Sequence, residues 1–396
     1  MNPVSPVDLA EVRRTNARLV LAHLLEHGPA SRSEIAERTG LSRSSLTNLI
    51  NLLLARRVVR EGAVTYSGSA GRPRRQVEVD AHGAALASVQ VDGEQIRVLV
   101  TGLSGDRICE ARELTGDTAP QVVRDRAVTL VSRCLPPDRG LGGLAVTVSG
   151  PVVGYPEVVA LSTDLGWEAP VDLLTLFSQS LPGVPLALEK NANAAALAEF
   201  HHVEGATSLI LLHADPGVGS GIVLDGRVLR SPDGVGSEVG HIPVSREEIV
   251  PCGCGIPGCL SSVASPAAML VRSGVRPDGQ LRGHLHALTR QALDGPSPQR
   301  AAVLDCVPHI ARAVNAARAV IGPSPVVLGG LWRDLSPVLA PALAGMVRTI
   351  GPAPEPQVQQ ARLGEDAVLR GGVLLAQEAA LRDPLALPHG GAATSQ

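Results

Sequence analysis

The chain has 396 residues, 44% of them apolar but only 2% aromatic, and a formal net charge of −3. That length allows two or three domains with cores of Leu, Val, Ala and Ile, and the scarcity of aromatics argues against a nucleic-acid surface based on base stacking. No run of about 18 uncharged apolar residues is present, and the first residues lack the charged and apolar regions of a signal peptide, so a cytoplasmic protein that meets no membrane is expected, its cysteines reduced.

The charge is unevenly placed. Residues 1–79 carry 12 Arg against 7 Asp or Glu, a net of +5, while the remainder carries 23 basic and 31 acidic residues, a net of −8. A basic head on an acidic body points to a polyanionic partner for the head.

Residues 13–27 are helical in pattern and end at Gly28-Pro29. Ser31 and Glu34 form a capping box that opens a short helix stopping at Thr39-Gly40. Ser42 caps a third helix whose Leu46, Leu49, Ile50 and Leu53 fall at helical spacing for a core. Its outer face then carries Arg43, Ser44, Thr47, Asn48 and Asn51, small polar groups and one Arg that suit base edges and phosphates in a major groove. Arg32, Ser42 and Ser45, at the two helix starts, join these as candidate DNA contacts. Val58–Arg60 and Ala63–Tyr66 flank Glu61-Gly62 as a two-stranded wing. The following Ser67–Arg75 reads as a flexible basic segment, in which Arg72, Arg74 and Arg75 either enter a narrow minor groove or contact phosphate, or are solvated linker. The pattern is a winged helix-turn-helix over residues 1–66 with a basic linker over 67–80, its expected partner double-stranded DNA; the alternative is a three-helix packing module that touches no DNA.

From about residue 84 the pattern changes to strands, helices and glycine turns, as in an α/β domain extending to 383. Ala85–Val91 with Gln95–Thr101, and Ser208–His213 with Gly221–Leu224, read as hairpins. Gly143–Ser149 and Val326–Gly330 read as strands, and Val184–Leu188 as a strand running into an alanine-rich helix. His241 is followed after ten residues by Cys252, Cys254 and Cys259, half of the six cysteines within eight positions. Three thiolates and one imidazole are the ligand set of a closed, tetrahedral zinc site, and the glycines and proline between the sulfurs suit a tight knuckle. The alternative is a set of inert thiols, or a disulfide with one spare. Cys109, Cys134 and Cys306 have no metal spacing and are expected in the core, and Pro384–Gln396 is expected to be disordered.

These segments, in this order, resemble the ROK family of bacterial repressors and sugar kinases. Glu238-Val-Gly-His241 followed by the cysteine knuckle is the most specific signal, and Arg13-Arg-x-Asn16 and Gly71-Arg-Pro73 match the family's regulator branch. The resemblance implies an actin-like (ribonuclease H-like) kinase fold of two lobes behind the winged head, and a homodimer or dimer of dimers. It also implies structural zinc on His241 and the three cysteines, with Glu238 and His241 lining a sugar pocket. One imidazole nitrogen would serve the metal and the other a hydroxyl, since a bound metal fixes the ring's tautomer.

Departures from the family pattern separate a regulator from an enzyme. Family kinases place Glu-Asn-Asp-Ala-Asn where this chain has Glu189-Lys-Asn-Ala-Asn193, so Asn191 stands in for the catalytic aspartate, and an amide is no general base near neutral pH. The two phosphate loops, Asp-x-Gly-Gly-Thr and Gly-Thr-Gly, become Asp92-Gly-Glu-Gln95 and Asp215-Pro-Gly217. Proline removes a donor, and Glu94 and Asp215 place negative charge where phosphates would sit. The expectation is no catalysis. In the effector site, Asp164 replaces an asparagine, Ser261 a glutamate, and Lys190, the chain's one lysine, another asparagine. Lys190 either pairs with Glu189, Glu238 or Asp164 or selects an anionic ligand such as a sugar phosphate or sugar acid; loss of ligand binding is a third outcome. The function expected is a transcriptional regulator, more readily a repressor, of carbohydrate or related metabolic genes. The alternatives are a bifunctional sugar kinase and a ligand-independent DNA-binding protein.

Overall fold

The computed structural model describes residues 8–65, 74–215, 217–231, 233–276, 281–348 and 357–388. The head begins with helix α1, Leu9–His27, capped by Asp8 and closed by Gly28 at positive φ. A two-residue strand β1, Ala30–Ser31, leads into α2, Arg32–Thr39, and α3, Arg43–Ala55. Both halves of the Ser31–Glu34 capping box are present: the Glu34 amide donates to Ser31 Oγ at 3.4 Å and the Ser31 amide to Glu34 Oε2 at 2.7 Å. Leu46, Leu49, Ile50 and Leu53 of α3 are buried, as are Val20, Leu21 and Leu24 of α1 and Ile35 of α2, and the three helices pack on one another to close a core.

The wing differs from expectation. Val59–Thr65 is one strand, β2, with a bulge between Glu61 and Val64 rather than a turn at Glu61-Gly62. Its partner is β3, Arg74–Val79, which lies within the expected linker and pairs antiparallel to it, with β1 on its other edge. The cause is the buried Val77, which anchors the second strand to the head core, while the extra residue at Gly62 is absorbed by the bulge.

The body contains two five-stranded sheets of the same design. In the first, β4 (Ala85–Val91), β5 (Gln95–Gly102) and β6 (Arg107–Leu114) form an antiparallel meander, helix α4 (Pro120–Cys134) follows, and β7 (Leu141–Val148) takes the other side of β4. After a two-stranded ribbon, β8 (Val152–Val153) with β9 (Val158–Val159), and helix α5 (Leu173–Ser180), strand β10 (Leu186–Lys190) completes the order β10-β7-β4-β5-β6. The second sheet repeats it. Helix α6 (Asn191–Phe200) leads to the meander β11 (Ser208–Ala214), β12 (Val218–Leu224) and β13 (Arg227–Val228), and later strands β14 (Val326–Gly330) and β15 (Val358–Gln360) run parallel on the far side of β11. Between β13 and β14 the chain is mainly helical, ending in the 24-residue Pro298–Ile321. That helix buries Val303, Val307, Ile310, Val314 and Ala317 at helical spacing in a core with Leu212, Ile222, Leu260, Trp332 and Leu339.

Two compact units result. One takes the described residues up to Thr147, with Asp172–Leu188 and those from Gly372 on; the other takes Val148–Val171 and Glu189–Gly371. Two further expectations are corrected in the first unit. Cys109 of β6 and Cys134 of α4 are joined by a disulfide, because the packing of that helix beside the strand brings their Cα atoms to 5.3 Å, within the span of a bridge. Residues 384–388, expected as disordered tail, are packed: Leu387 is buried, and the Leu385 carbonyl accepts from the Arg56 guanidinium behind α3. Residues 389–396 lie outside the described residues. Cys306 is a core residue as expected, and burial pushes its thiol up to about 12, which makes it inert. Among the described residues, no helix is long and apolar enough to cross a membrane.

Candidate functional site

The knuckle grows out of β12. The Val239 amide donates to Ser220 Oγ at 2.8 Å, and a single 3-10 turn, Val239–His241, presents His241. The chain then returns antiparallel: Pro243 bridges Cys259, the Val244 and Ser245 amides donate to the Gly258 carbonyl at 2.9 and 3.1 Å, and the Leu260 amide donates to Ile242 at 3.0 Å. His241, Cys252, Cys254 and Cys259 converge, their four ligand atoms all within 4.8 Å of one another. His241 Nδ1 is 3.7 Å from Cys252 Sγ, and Cys254 Sγ is 3.7 Å from Cys259 Sγ. Zinc–sulfur bonds of about 2.3 Å in a tetrahedron require edges of about 3.8 Å, so the donor set fits a four-coordinate cation. Burial pushes the Cys252 thiol up to about 12, a cost that a cation offsets by stabilising the thiolate.

Two glycines are required by this geometry. A Cβ on Gly240 would lie 1.9 Å from the Val218 carbonyl, and Gly258 has φ +65° with the Ser245 carbonyl 2.0 Å from its would-be Cβ. Gly240→Ala is therefore expected to push the His241 turn off β12, lowering both the melting temperature and the bound metal per chain; unchanged metal content by elemental analysis would contradict this.

The other imidazole nitrogen, Nε2, faces Glu238 Oε2 at 3.9 Å, and Glu238 Oε1 is 2.6 Å from Lys190 Nζ. Of the pairings open to Lys190, the structure gives the one with Glu238, and the ammonium, on a side chain 9% exposed, also lies 3.5 Å from the Gly236 carbonyl. Lys190, Glu238, His241 and the three sulfurs thus form one continuous chain of contacts. Asn191 is the first residue of α6, and its buried Oδ1 has no hydrogen-bond partner. The remaining two expected effector residues are engaged differently. Asp164 is exposed and accepts from Ser149 Oγ at 2.5 Å and Ser162 Oγ at 2.8 Å. Ser261 is buried and turned to the Val218 backbone, accepting from its amide at 3.2 Å, so its hydroxyl pins the knuckle to β12.

Sequence reasoning missed Arg230. It pairs with Glu189, itself 2% exposed, and lies 3.9 Å from Glu157; together with Val152 and Tyr155 these residues line a cavity of about 240 Å³. Glu189 also accepts from the Lys190 amide at 2.8 Å and from Asn193 Nδ2 at 2.9 Å. Arg230 carries no local signal, since it belongs to an irregular loop whose partners are 41 and 73 positions away.

At the expected phosphate loops, Asp92 Oδ1 accepts from the Glu94 and Gln95 amides at 2.9 and 2.8 Å, so the donors of that turn already hold a carboxylate. The Asp215 amide donates to the Gly217 carbonyl at 3.0 Å; Pro216 lies outside the described residues.

In the head, Arg43, Ser44, Ser45, Thr47, Asn48 and Asn51 are all exposed on α3. Ser42 is occupied as the cap, accepting from the Ser45 amide at 3.2 Å, and Thr47 Oγ1 donates to the Arg43 carbonyl at 2.8 Å. Arg43 takes part in no ion pair among the described residues, whereas Arg32 is half-buried and bound to Asn51 and Glu61. Arg74 starts β3, and Arg72 lies outside the described residues.

Comparison with known proteins bears on both parts. The profile described as the ROK family matches residues 86–379, and that described as the MarR family matches residues 12–65. A xylose repressor of Bacillus spizizenii is 26% identical over 273 residues, covering 67% of this chain and 70% of its own length. An N-acetylmannosamine kinase of Shigella boydii is 27% identical, covering 73% of this chain and 97% of its own. A crystal structure described as a ROK family transcriptional regulator, homolog of the Escherichia coli MLC protein, superposes with a TM-score of 0.78 at 21% identity, covering 95% of this chain and 98% of that one, a likeness of fold.

Proposed function

The chain belongs to the ROK family, and from that premise we propose that it is a DNA-binding transcriptional repressor of carbohydrate genes whose body senses a sugar without phosphorylating it. Its fold is a winged helix-turn-helix followed by an actin-like, sugar-kinase-type body. The observation that carries the reading is the union, in one chain, of an exposed polar face on α3 with a kinase body that has Asn191 at the start of α6. Loss of the general base alone forfeits about 10²–10⁴-fold in rate. The Asp92 carboxylate on the turn amides removes phosphate donors as well. ADP release with Mg-ATP and glucose or N-acetylmannosamine is expected to be independent of sugar, in the parent chain and in Asn191→Asp alike. Sugar-dependent turnover would establish the bifunctional kinase instead.

His241, Cys252, Cys254 and Cys259 hold a structural zinc in this reading. With all four positions taken by side chains, these residues would hold the ion as a structural one, and it would fix the imidazole with Nε2 toward Glu238 and the effector. Lys190 bears on which effector that is. Its charge is used by Glu238 at 2.6 Å, and Glu157 and Glu189 outnumber Arg230 at the neighbouring cavity. A neutral sugar therefore suits the site better than a sugar phosphate or sugar acid. Calorimetry is expected to rank glucose and xylose above glucose 6-phosphate and glucuronate. An anionic ligand that binds most tightly and loses its advantage in Lys190→Ala would reverse that assignment.

Two heads of a cytoplasmic homodimer would engage inverted half-sites about one helical turn apart, roughly 34–36 Å. Sugar binding would weaken this engagement by favouring a body state whose heads fit the operator less well.

A further inference from the structure

Two arginines of the wing, Arg60 and Arg75, are matched with carboxylates. Glu61 Oε2 on β2 is 2.5 Å from Arg75 Nη1 on β3, and Glu61 Oε1 is 3.5 Å from Arg32 Nη2 at the start of α2. Arg32 Nη2 also donates to Asn51 Oδ1, on the exposed face of α3, at 3.3 Å. One carboxylate therefore ties the wing to the polar face of the third helix. All three side chains are wetted, Arg32 to 36%, Glu61 to 38% and Arg75 to 60%, and ion pairs so exposed exchange partners readily. Arg60 and Glu78 form a second cross-strand pair at 2.8 Å, but the register sets Arg60 opposite Glu78 and Glu61 opposite the buried Val77, so the two pairs occupy opposite faces of the ribbon.

We propose that Glu61 is a built-in competitor of the DNA backbone: it occupies Arg32 and Arg75, and a phosphate must displace it to gain either guanidinium. A phosphate oxygen offers those groups the same charged acceptor that the carboxylate does. Once displaced, Glu61 remains beside the phosphates and repels them. The carboxylate thus holds down the sequence-independent part of DNA affinity, which comes from cation–phosphate contacts. Such a limit has a use in a repressor, because effector coupling between sites is typically only 5–150-fold and cannot release a head that binds every duplex tightly.

The test is fluorescence anisotropy with a random-sequence duplex spanning three helical turns, over a potassium chloride series, using the full chain. Glu61→Gln is expected to tighten binding about threefold or more at low salt and to steepen the log–log salt dependence by about one to two. Glu78→Gln makes the same charge change on the other face and serves as the control, expected to move affinity less. Adding Arg75→Gln to Glu61→Gln should cancel most of the gain, which separates released arginine from a general charge effect. Glu61→Gln that binds no better than Glu78→Gln, or more weakly than the parent, overturns the proposal. Absence of duplex binding by all four proteins would instead overturn the DNA-binding reading itself.

Discussion

Cys252→Ser protein is expected to emerge without stoichiometric zinc and to melt far below the parent chain. The knuckle has little packing of its own to hold it: Cys252 and Cys254 are partly exposed, Gly255 and Gly258 take positive φ, and only Cys259 reaches the core. In the proposed reading its closure rests on a cation held by the four converging side chains. Structural zinc contributes on the order of 10–16 kcal/mol of apparent binding free energy in small domains, against about 2–5 kcal/mol for a large-to-small core substitution. The loss extends into the core of the second unit, because Leu260 and Val263, on the short helix that Cys259 leads into, lie in the same core as Trp332 and Leu339. It should also free the His241 ring, so that any sugar response of DNA binding disappears before the head unfolds. Elemental analysis and calorimetric melting check the first claim, and a DNA titration with and without sugar checks the second. Full metal content, or an intact sugar response in the metal-free protein, would refute the role.

Arg43→Ala is expected to weaken operator binding by roughly 5–150-fold, the equivalent of about 1–3 kcal/mol for a well-made base contact. Arg43 sits on the first turn of α3, exposed and without an ion pair among the described residues, so its removal leaves stability within about 0.5 kcal/mol. Arg43 therefore differs from Arg32, whose removal would also break its contacts with Glu61 and Asn51. A gel-shift titration at fixed salt, paired with thermal melting, separates the two effects. Unchanged affinity would mean that the third helix is not the reader.

What was legible in the sequence was mostly local. Helix starts at Ser31 and Ser42 could be read because a side-chain oxygen three residues from an amide is a short-range signal, and the structure places both caps as expected. The cysteine knuckle was legible for the same reason. The wing was misread because a bulge at Gly62 and a turn at Gly62 look alike until the partner strand is known, and that partner, Arg74–Val79, hides its buried Val77 among charged residues. The Cys109–Cys134 bridge and the packing of Leu387 depend on segments far apart in the chain being brought together, for which spacing gives no sign. Lys190 stood out as the lone lysine, but only the fold chose Glu238 among its three possible partners. Ser261 occupied a pocket position in the family pattern, yet its hydroxyl is spent on the Val218 backbone.

The central claim is that the head reads specific DNA on behalf of a sugar-sensing body. Selection of genomic DNA fragments by the purified full chain, compared with Arg43→Ala, tests it most directly. A small set of enriched fragments beside carbohydrate uptake or breakdown genes, lost in Arg43→Ala and released by a sugar of that pathway, is the predicted result. Fragments enriched no more by the parent chain than by Arg43→Ala would contradict the account.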